Sequence, residues 1–292
     1  MELQQLRYFC AIAETGSFTR AARETHVSQP SLSQQIMKLE DELGARLFDR
    51  LGRTVQLTEL GRTFLPRARA VLRDLEAARN DVVEKKASIS GPISVGVIPT
   101  IAPYFLPPIL ATFARRFPEV RVTVSEEITP LLLERLRAGI MDVAIAALPL
   151  SARAHEFHSF TLLEEKLFAV LPRRHRLARQ RTVSLAQLHD DSFVLLRDGH
   201  CFRDTAFAAC KRARMNPKVI FESGQFSSIL SMVGAGLGVS IVPAMAVEKR
   251  VGCRYVPLAD ERAGRTIGAV TLNGRSATRA TEAFLGHLAV KM

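Results

Sequence analysis

The chain has 292 residues, 47% hydrophobic and 24% charged, which is ordinary for a soluble globular protein and enough for two or three domains. No apolar run is long enough to span a bilayer, and Met1-Glu2-Leu3-Gln4-Gln5-Leu6-Arg7 lacks a signal peptide's basic-then-apolar order, so a membrane role is excluded and a cytoplasmic location is expected. A net charge of +11 invites a nucleic-acid reading, but residues 1–90 hold 14 Lys/Arg against 12 Asp/Glu (+2) and residues 91–292 hold 26 against 17 (+9), so net charge alone does not identify a DNA contact.

Leu3, Leu6, Phe9, Cys10 and Ala13 recur at helical spacing up to Gly16, which predicts a first helix with Cys10 in its core face. Ser17 is a candidate cap for a second helix through Arg23, and Ser28 for a third from Gln29-Pro30 to Leu43. The short turn at His26-Val27 makes these a helix-turn-helix. Leu32, Ile36, Leu39 and Leu43 share one face of the third helix. Gln29, Pro30, Ser31, Ser33, Gln34 and Lys38 are left as candidate groove-reading residues. The stretches Arg46–Arg50 and Arg53–Thr58 alternate like a two-stranded wing, with Arg50 and Arg53 set for phosphates or the minor groove.

A long helix is predicted from Thr58 to about Lys86. Phe64, Ala68, Val71, Leu75, Ala78 and Val82 follow a heptad seam along it, which argues for pairing between two subunits. Its alanines make the seam weak alone, and Pro66 is expected to kink it. Ser88-Ile89-Ser90-Gly91-Pro92 reads as a hinge. Strand candidates then alternate with helices: Ile93–Ile98, Val120–Glu126, Val143–Ala147, Leu167–Leu171, Phe193–Leu196, Val219–Phe221, Val239–Val242 and Thr266–Leu272. Ligand crevices in such sheets lie at the carboxyl ends of strands, where Pro99-Thr100 and Glu127-Ile128-Thr129 fall. The basic clusters Arg173–Arg181 and Lys211–Arg214 read as solvated faces.

Cys201 and Cys210 stand nine positions apart, the first directly after Gly199-His200 at the start of an amphipathic helix. A helix N-terminus lowers a thiol pKa, so Cys201 is expected to be partly thiolate at neutral pH. Nine helical residues rise about 13 Å, whereas a disulfide needs Cα atoms roughly 4.4–6.8 Å apart. The pair can bridge only if the helix first comes apart. Taken alone, His200, Thr100 and Thr129 also read as helix caps and Cys210 as a buried core thiol, while Cys253 has no partner signal. Metal-ligand spacing is absent and no cofactor is expected.

Ala21-Ala22, Val27-Ser28-Gln29-Pro30-Ser31-Leu32-Ser33, Leu39-Glu40-Asp41-Glu42-Leu43-Gly44 and Leu47-Phe48-Asp49-Arg50 resemble the LysR-type transcriptional regulators, and Gly234–Pro243 is similar to a segment of their second lobe. The resemblance covers the whole chain. It implies an α plus α/β fold with a winged helix-turn-helix over 1–58, a linker helix and hinge over 59–90, and an effector domain like a periplasmic binding protein over 91–292. Its lobe I would comprise 91–162 with 266–292, and lobe II 163–265. Within the family, Val97-Ile98-Pro99-Thr100, Asp198-Gly199-His200-Cys201, Cys210 and Arg265-Thr266-Ile267-Gly268 resemble the hydrogen-peroxide-sensing activators. That likeness implies Cys201 as the peroxidatic thiol and Cys210 as the resolving thiol. Thr100, Thr129, His200 and Arg265 would surround the peroxide.

The partners it implies are double-stranded DNA, a second subunit, a homotetramer and, as a candidate contact, RNA polymerase. The chain ends soon after its last helix, without the longer tail of some such proteins. Two other readings stand beside this one. A regulator binding a small organic effector between its lobes would leave Cys201 incidental. A thiol peroxidase would use the same two cysteines, but the N-terminal helix-turn-helix argues against an enzyme.

Overall fold

The computed structural model describes residues 1–51, 54–83, 89–150, 154–248 and 251–290. These residues fall into two compact units. One is Met1–Ser88 with Arg137–Ile140 and Gly274–Arg279; the other is Ile89–Leu136 with Met141–Asn273 and Ala280–Met292.

The first unit opens with α1 (Leu3–Thr15), α2 (Phe18–Glu24) and α3 (Gln29–Leu43). Their ends lie where side chains satisfy free backbone groups. Ser17 accepts from the Arg20 N–H at 3.4 Å, Ser28 accepts from the Ser31 N–H at 3.3 Å, and the turn between α2 and α3 contains His26 at φ 56°. Phe9, Ile12, Leu32, Ile36 and Leu39 are fully buried between the helices, whereas Leu43 is 39% exposed and lies outside the apolar face expected for it. Each such buried side chain contributes about 1.5–3 kcal/mol. The wing is the antiparallel pair β1 (Phe48–Leu51) and β2 (Thr54–Leu57). Glu40 of α3 tethers its start by accepting from the N–H groups of Leu47 and Phe48.

Helix α4 (Glu59–Val83) follows, capped by the Thr58 hydroxyl at the Gly61 N–H. A Cβ at position 61 would lie 2.1 Å from the Leu47 carbonyl oxygen, so only glycine lets the helix approach this closely. The helix continues through Pro66. The expected subunit seam is corrected at its start. The Phe64 ring lies 5.3 Å from Phe9, and Ala68 is buried against the chain's own three-helix core. Heptad spacing creates an apolar stripe but does not say which surface covers it. Val71 is 44% exposed and Leu75 is half-buried, while the side chains of Ala78 and Val82 lie outside the described residues.

The remaining elements are β3 (Gly91–Val97), α5 (Ala102–Arg116), β4 (Val120–Glu126), α6 (Thr129–Arg137), β5 (Val143–Leu148), β6 (Phe157–Pro172) and β7 (Ser192–Leu196). After these come α7 (Cys201–Arg212), β8 (Lys218–Ser223), α8 (Phe226–Gly234), β9 (Ser240–Pro243), β10 (Cys253–Pro257), β11 (Gly264–Leu272) and α9 (Arg279–Val290). Seven strands form one sheet in the order β10-β6-β11-β5-β3-β4, with β9 also paired to β6.

Two buried clusters share that sheet. One gathers Ile93, Val95, Phe113, Ile145, Ile267 and Phe284; the other gathers Leu171, Phe193, Phe202, Ile229, Val242 and Val256. Strand β6 runs through both. Its residues 157–166 pair with β11, and residues 167–172 pair with β9 and β10. The sequence exposed only the second half of this strand as Leu167–Leu171. Its first half carries Glu164, Glu165 and Lys166, which mask the alternation.

Candidate functional site

On α3, Gln29, Pro30, Ser31, Gln34 and Lys38 are exposed and Ser33 is half-buried, so the polar face expected for DNA is free within this unit. Arg53 and the side chain of Arg50 lie outside the described residues. The arginines at 173, 174, 176, 179 and 181 are exposed, as are Lys211, Arg212 and Arg214.

The second unit brings together the expected redox residues. Strand β3 ends three residues before Thr100, α6 begins at Thr129, and α7 begins at Cys201 with His200 as its N-cap residue. Gly199, at φ 91°, turns the chain from β7 into α7 in a conformation that favours glycine. Arg203 braces the same turn. It donates to the Leu196 carbonyl at 3.1 Å, pairs with Asp198 at 2.8 Å and with Glu222, and lies 4.9 Å from the Phe207 ring centroid.

Arg265 is the buried cation of the site. Its side chain is 2% exposed, and Nε donates to Glu165 Oε1 at 2.6 Å. Nη1 donates to the Thr100 hydroxyl at 2.8 Å, Nη2 to the Thr100 carbonyl at 3.1 Å, and the guanidinium stacks 5.0 Å from the Phe202 ring centroid. With its oxygen engaged as an acceptor, the Thr100 hydroxyl keeps its own proton to donate. Two further polar atoms are buried without hydrogen-bond partners, the Thr129 hydroxyl and His200 Nδ1. Burial, reinforced by Arg197, lowers the His200 pKa, which favours the neutral ring.

Cys201 departs from its expected state. Burial pushes its thiol above the ordinary value of 9.0, and this outweighs the lowering by Arg265, the Thr129 hydroxyl and the Phe202 backbone N–H. The helix N-terminus favours the thiolate, but desolvation of the buried sulfur is the larger effect. The Thr129 hydroxyl is among the groups that favour the Cys201 thiolate.

Cys210, across the intact helix, is 1% exposed and pushed up to about 11 by burial. Cys10 is likewise buried at about 11, and Cys253 is buried with its thiol donating to the Leu230 carbonyl at 3.2 Å. None of the four cysteines is in a disulfide. The sequence reading missed Glu165, the partner of Arg265. Its side chain is 6% exposed between exposed Glu164 and Lys166, so strand alternation is the signal that would have found it.

Residues 3–62 match the family described as bacterial regulatory helix-turn-helix protein, lysR family, and residues 86–292 match the LysR substrate binding domain. The chain is 37% identical over 273 residues to the DNA-binding transcriptional dual regulator OxyR of Escherichia coli K12, covering 92% of this chain and 89% of that protein. Among solved structures, a full-length cysteine-to-aspartate variant of OxyR from Pseudomonas aeruginosa superposes with a TM-score of 0.84 at 31% identity, over 99% of this chain and 98% of that one. A cysteine-to-serine variant of Corynebacterium glutamicum OxyR in its hydrogen-peroxide-bound form gives 0.64 at 33% identity, over 99% and 90%.

Proposed function

Because the chain belongs to the LysR family of bacterial transcription regulators, we propose that it senses hydrogen peroxide through Cys201 and converts the oxidation into altered DNA engagement. The observation that carries this reading is that the buried Arg265 cation, hydrogen-bonded to Thr100, and the Thr129 hydroxyl both act on the Cys201 sulfur. Peroxide has two donors and two acceptor oxygens, and it matches such a set better than an organic effector would.

In the first step the Cys201 thiolate attacks one peroxide oxygen. The S–O bond forms as the O–O bond breaks, and the departing hydroxide takes a proton to leave as water. Arg265 and Thr129 stabilise the thiolate, while Thr100 and neutral His200 hold the peroxide. The Cys210 thiolate then attacks the sulfenic sulfur, forming the disulfide and releasing a second water, so two thiols and one peroxide give one disulfide and two waters. Since α7 is intact with both thiols free, closure requires the segment between them to unwind.

On the DNA side, Gln29, Pro30, Ser31, Ser33, Gln34 and Lys38 would face the major groove, with Arg50 and Arg53 on the backbone or minor groove. The working unit would be a dimer or a dimer of dimers. Its linker contact would be restricted to Val71, Leu75, Ala78 and Val82, and RNA polymerase would be a further partner.

The test is peptide mapping of the protein after stoichiometric peroxide, beside a DNA footprint of the same sample. Cys201→Ser should abolish the footprint change, and Cys210→Ser should trap sulfenic acid at position 201. A footprint that ignores a fully formed disulfide overturns the proposal in favour of an organic effector.

A further inference from the structure

We infer that Glu165 is the positioning residue that sets Arg265 against Cys201, an assignment that rests on the thiol-sensor reading above. Glu165 and Arg265 are directly opposed cross-strand partners on β6 and β11. Both carboxylate oxygens are used. Oε1 accepts from Arg265 Nε at 2.6 Å, and Oε2 accepts from the Met245 backbone N–H at 2.9 Å in the short 3-10 turn Ala244–Ala246. The Met245 sulfur in turn receives Arg265 Nη2 at 3.5 Å.

The guanidinium is therefore gripped on its Nε edge by Glu165, which leaves Nη1 and Nη2 aimed at Thr100. A fork of fixed donors transmits any rotation at Nε to its far end. No uncharged side chain replaces this carboxylate, because it serves two N–H donors at once and an amide offers a single acceptor oxygen. Rotation of the guanidinium on losing Glu165 would withdraw positive charge from the Cys201 sulfur.

The test is the pH profile of Cys201 alkylation by iodoacetamide, read by peptide mass, in the full-length wild type, Glu165→Gln, Arg265→Ala and the double variant. Glu165→Gln should slow alkylation at pH 8 by ~10-fold or more and move the profile to higher pH, as expected when a catalytic group is displaced by about 1 Å. In the Arg265→Ala background the same substitution should change the rate less than about twofold, since no cation remains to position. Equal slowing in both backgrounds, or a Glu165→Gln profile that overlays the wild type, overturns the assignment. If Glu165→Gln fails to fold, Glu165→Asp keeps the charge but is one methylene short. It should give an intermediate profile, and an unchanged one overturns the inference. Wild-type protein that alkylates at Cys201 yet ignores peroxide would sink the sensor reading while leaving the Glu165 test to be decided by alkylation alone.

Discussion

Replacing Phe202 by alanine should make the Cys201–Cys210 disulfide easier to keep. The ring is 2% exposed, stands edge-on to Phe226 at 5.1 Å and carries the Arg265 guanidinium at 5.0 Å, all in the thiol form. Closing the disulfide must bring Cα atoms from about 13 Å to roughly 6 Å, which unwinds the segment that seats this ring. Truncating a buried phenylalanine costs about 3–5 kcal/mol. That loss falls on the reduced protein, because the oxidised form has already given up the packing. For a two-electron couple, 3–5 kcal/mol corresponds to a midpoint roughly 60–110 mV more negative. Titration in glutathione buffers, with the disulfide quantified by peptide mass, measures the shift directly. A midpoint within about 10 mV of wild type would mean that the ring is equally well packed in both states, and the unwinding argument would be refuted.

Because burial raises the Cys201 thiol pKa, its alkylation rate in folded protein should still climb through pH 9 without a plateau. Cys10 and Cys210, both near 11, contribute stability that is complete below the unfolded thiol pKa and lost as pH rises through about 11, so the urea midpoint should fall between pH 9 and 11. A midpoint that is flat or rising over that range contradicts their burial. Gln34→Ala should relax sequence preference by about 1–3 kcal/mol, whereas Arg53→Ala should weaken all DNA binding and lower the salt slope by roughly one. Unchanged discrimination by the Gln34 variant in a fluorescence titration would show that another face reads the groove. Val71→Glu with Leu75→Glu should give a smaller species in sedimentation, since the exposed part of the seam begins there. A full-sized assembly that still binds DNA would rule out the linker contact.

Much of the first unit was legible because its signals are local. Ser17 and Ser28 cap where their residue types predict, and glycines 16 and 44 end α1 and α3 in the left-handed region. The third helix also buries three of the four leucine and isoleucine residues that share its face. What failed to show depends on distant chain. Nothing near Phe64 or Ala68 indicates that their stripe is covered by Phe9 and its neighbours rather than by another subunit. Glu165 sits between two exposed charges, and only Arg265, one hundred residues away, makes its burial affordable. For Cys201 the favourable helix terminus is written beside it, while the burial that wins comes from the core around β3 and β5. Thr100, Thr129, His200 and Arg265 were identified through family likeness. The local sequence at Thr100, Thr129 and His200 was equally compatible with capping.

Strand β6 passes without a break from one buried cluster to the other, and β11 lies beside it with a register shift between Ile267 and Gly268. A pair of strands stitched by backbone hydrogen bonds behaves as a leaf spring rather than a pin joint. It resists wide opening but permits twist where the register slips. Both Glu165 and Arg265 sit on this spring, so the buried cation is carried by paired strands, while α7, the part that would reorganise on the proposed reading, follows a glycine turn. On the proposed peroxide-sensing reading, such an arrangement would separate the element that holds the chemistry steady from the element that moves, so that a small oxidant would release a large displacement without loosening the groups that recognise it.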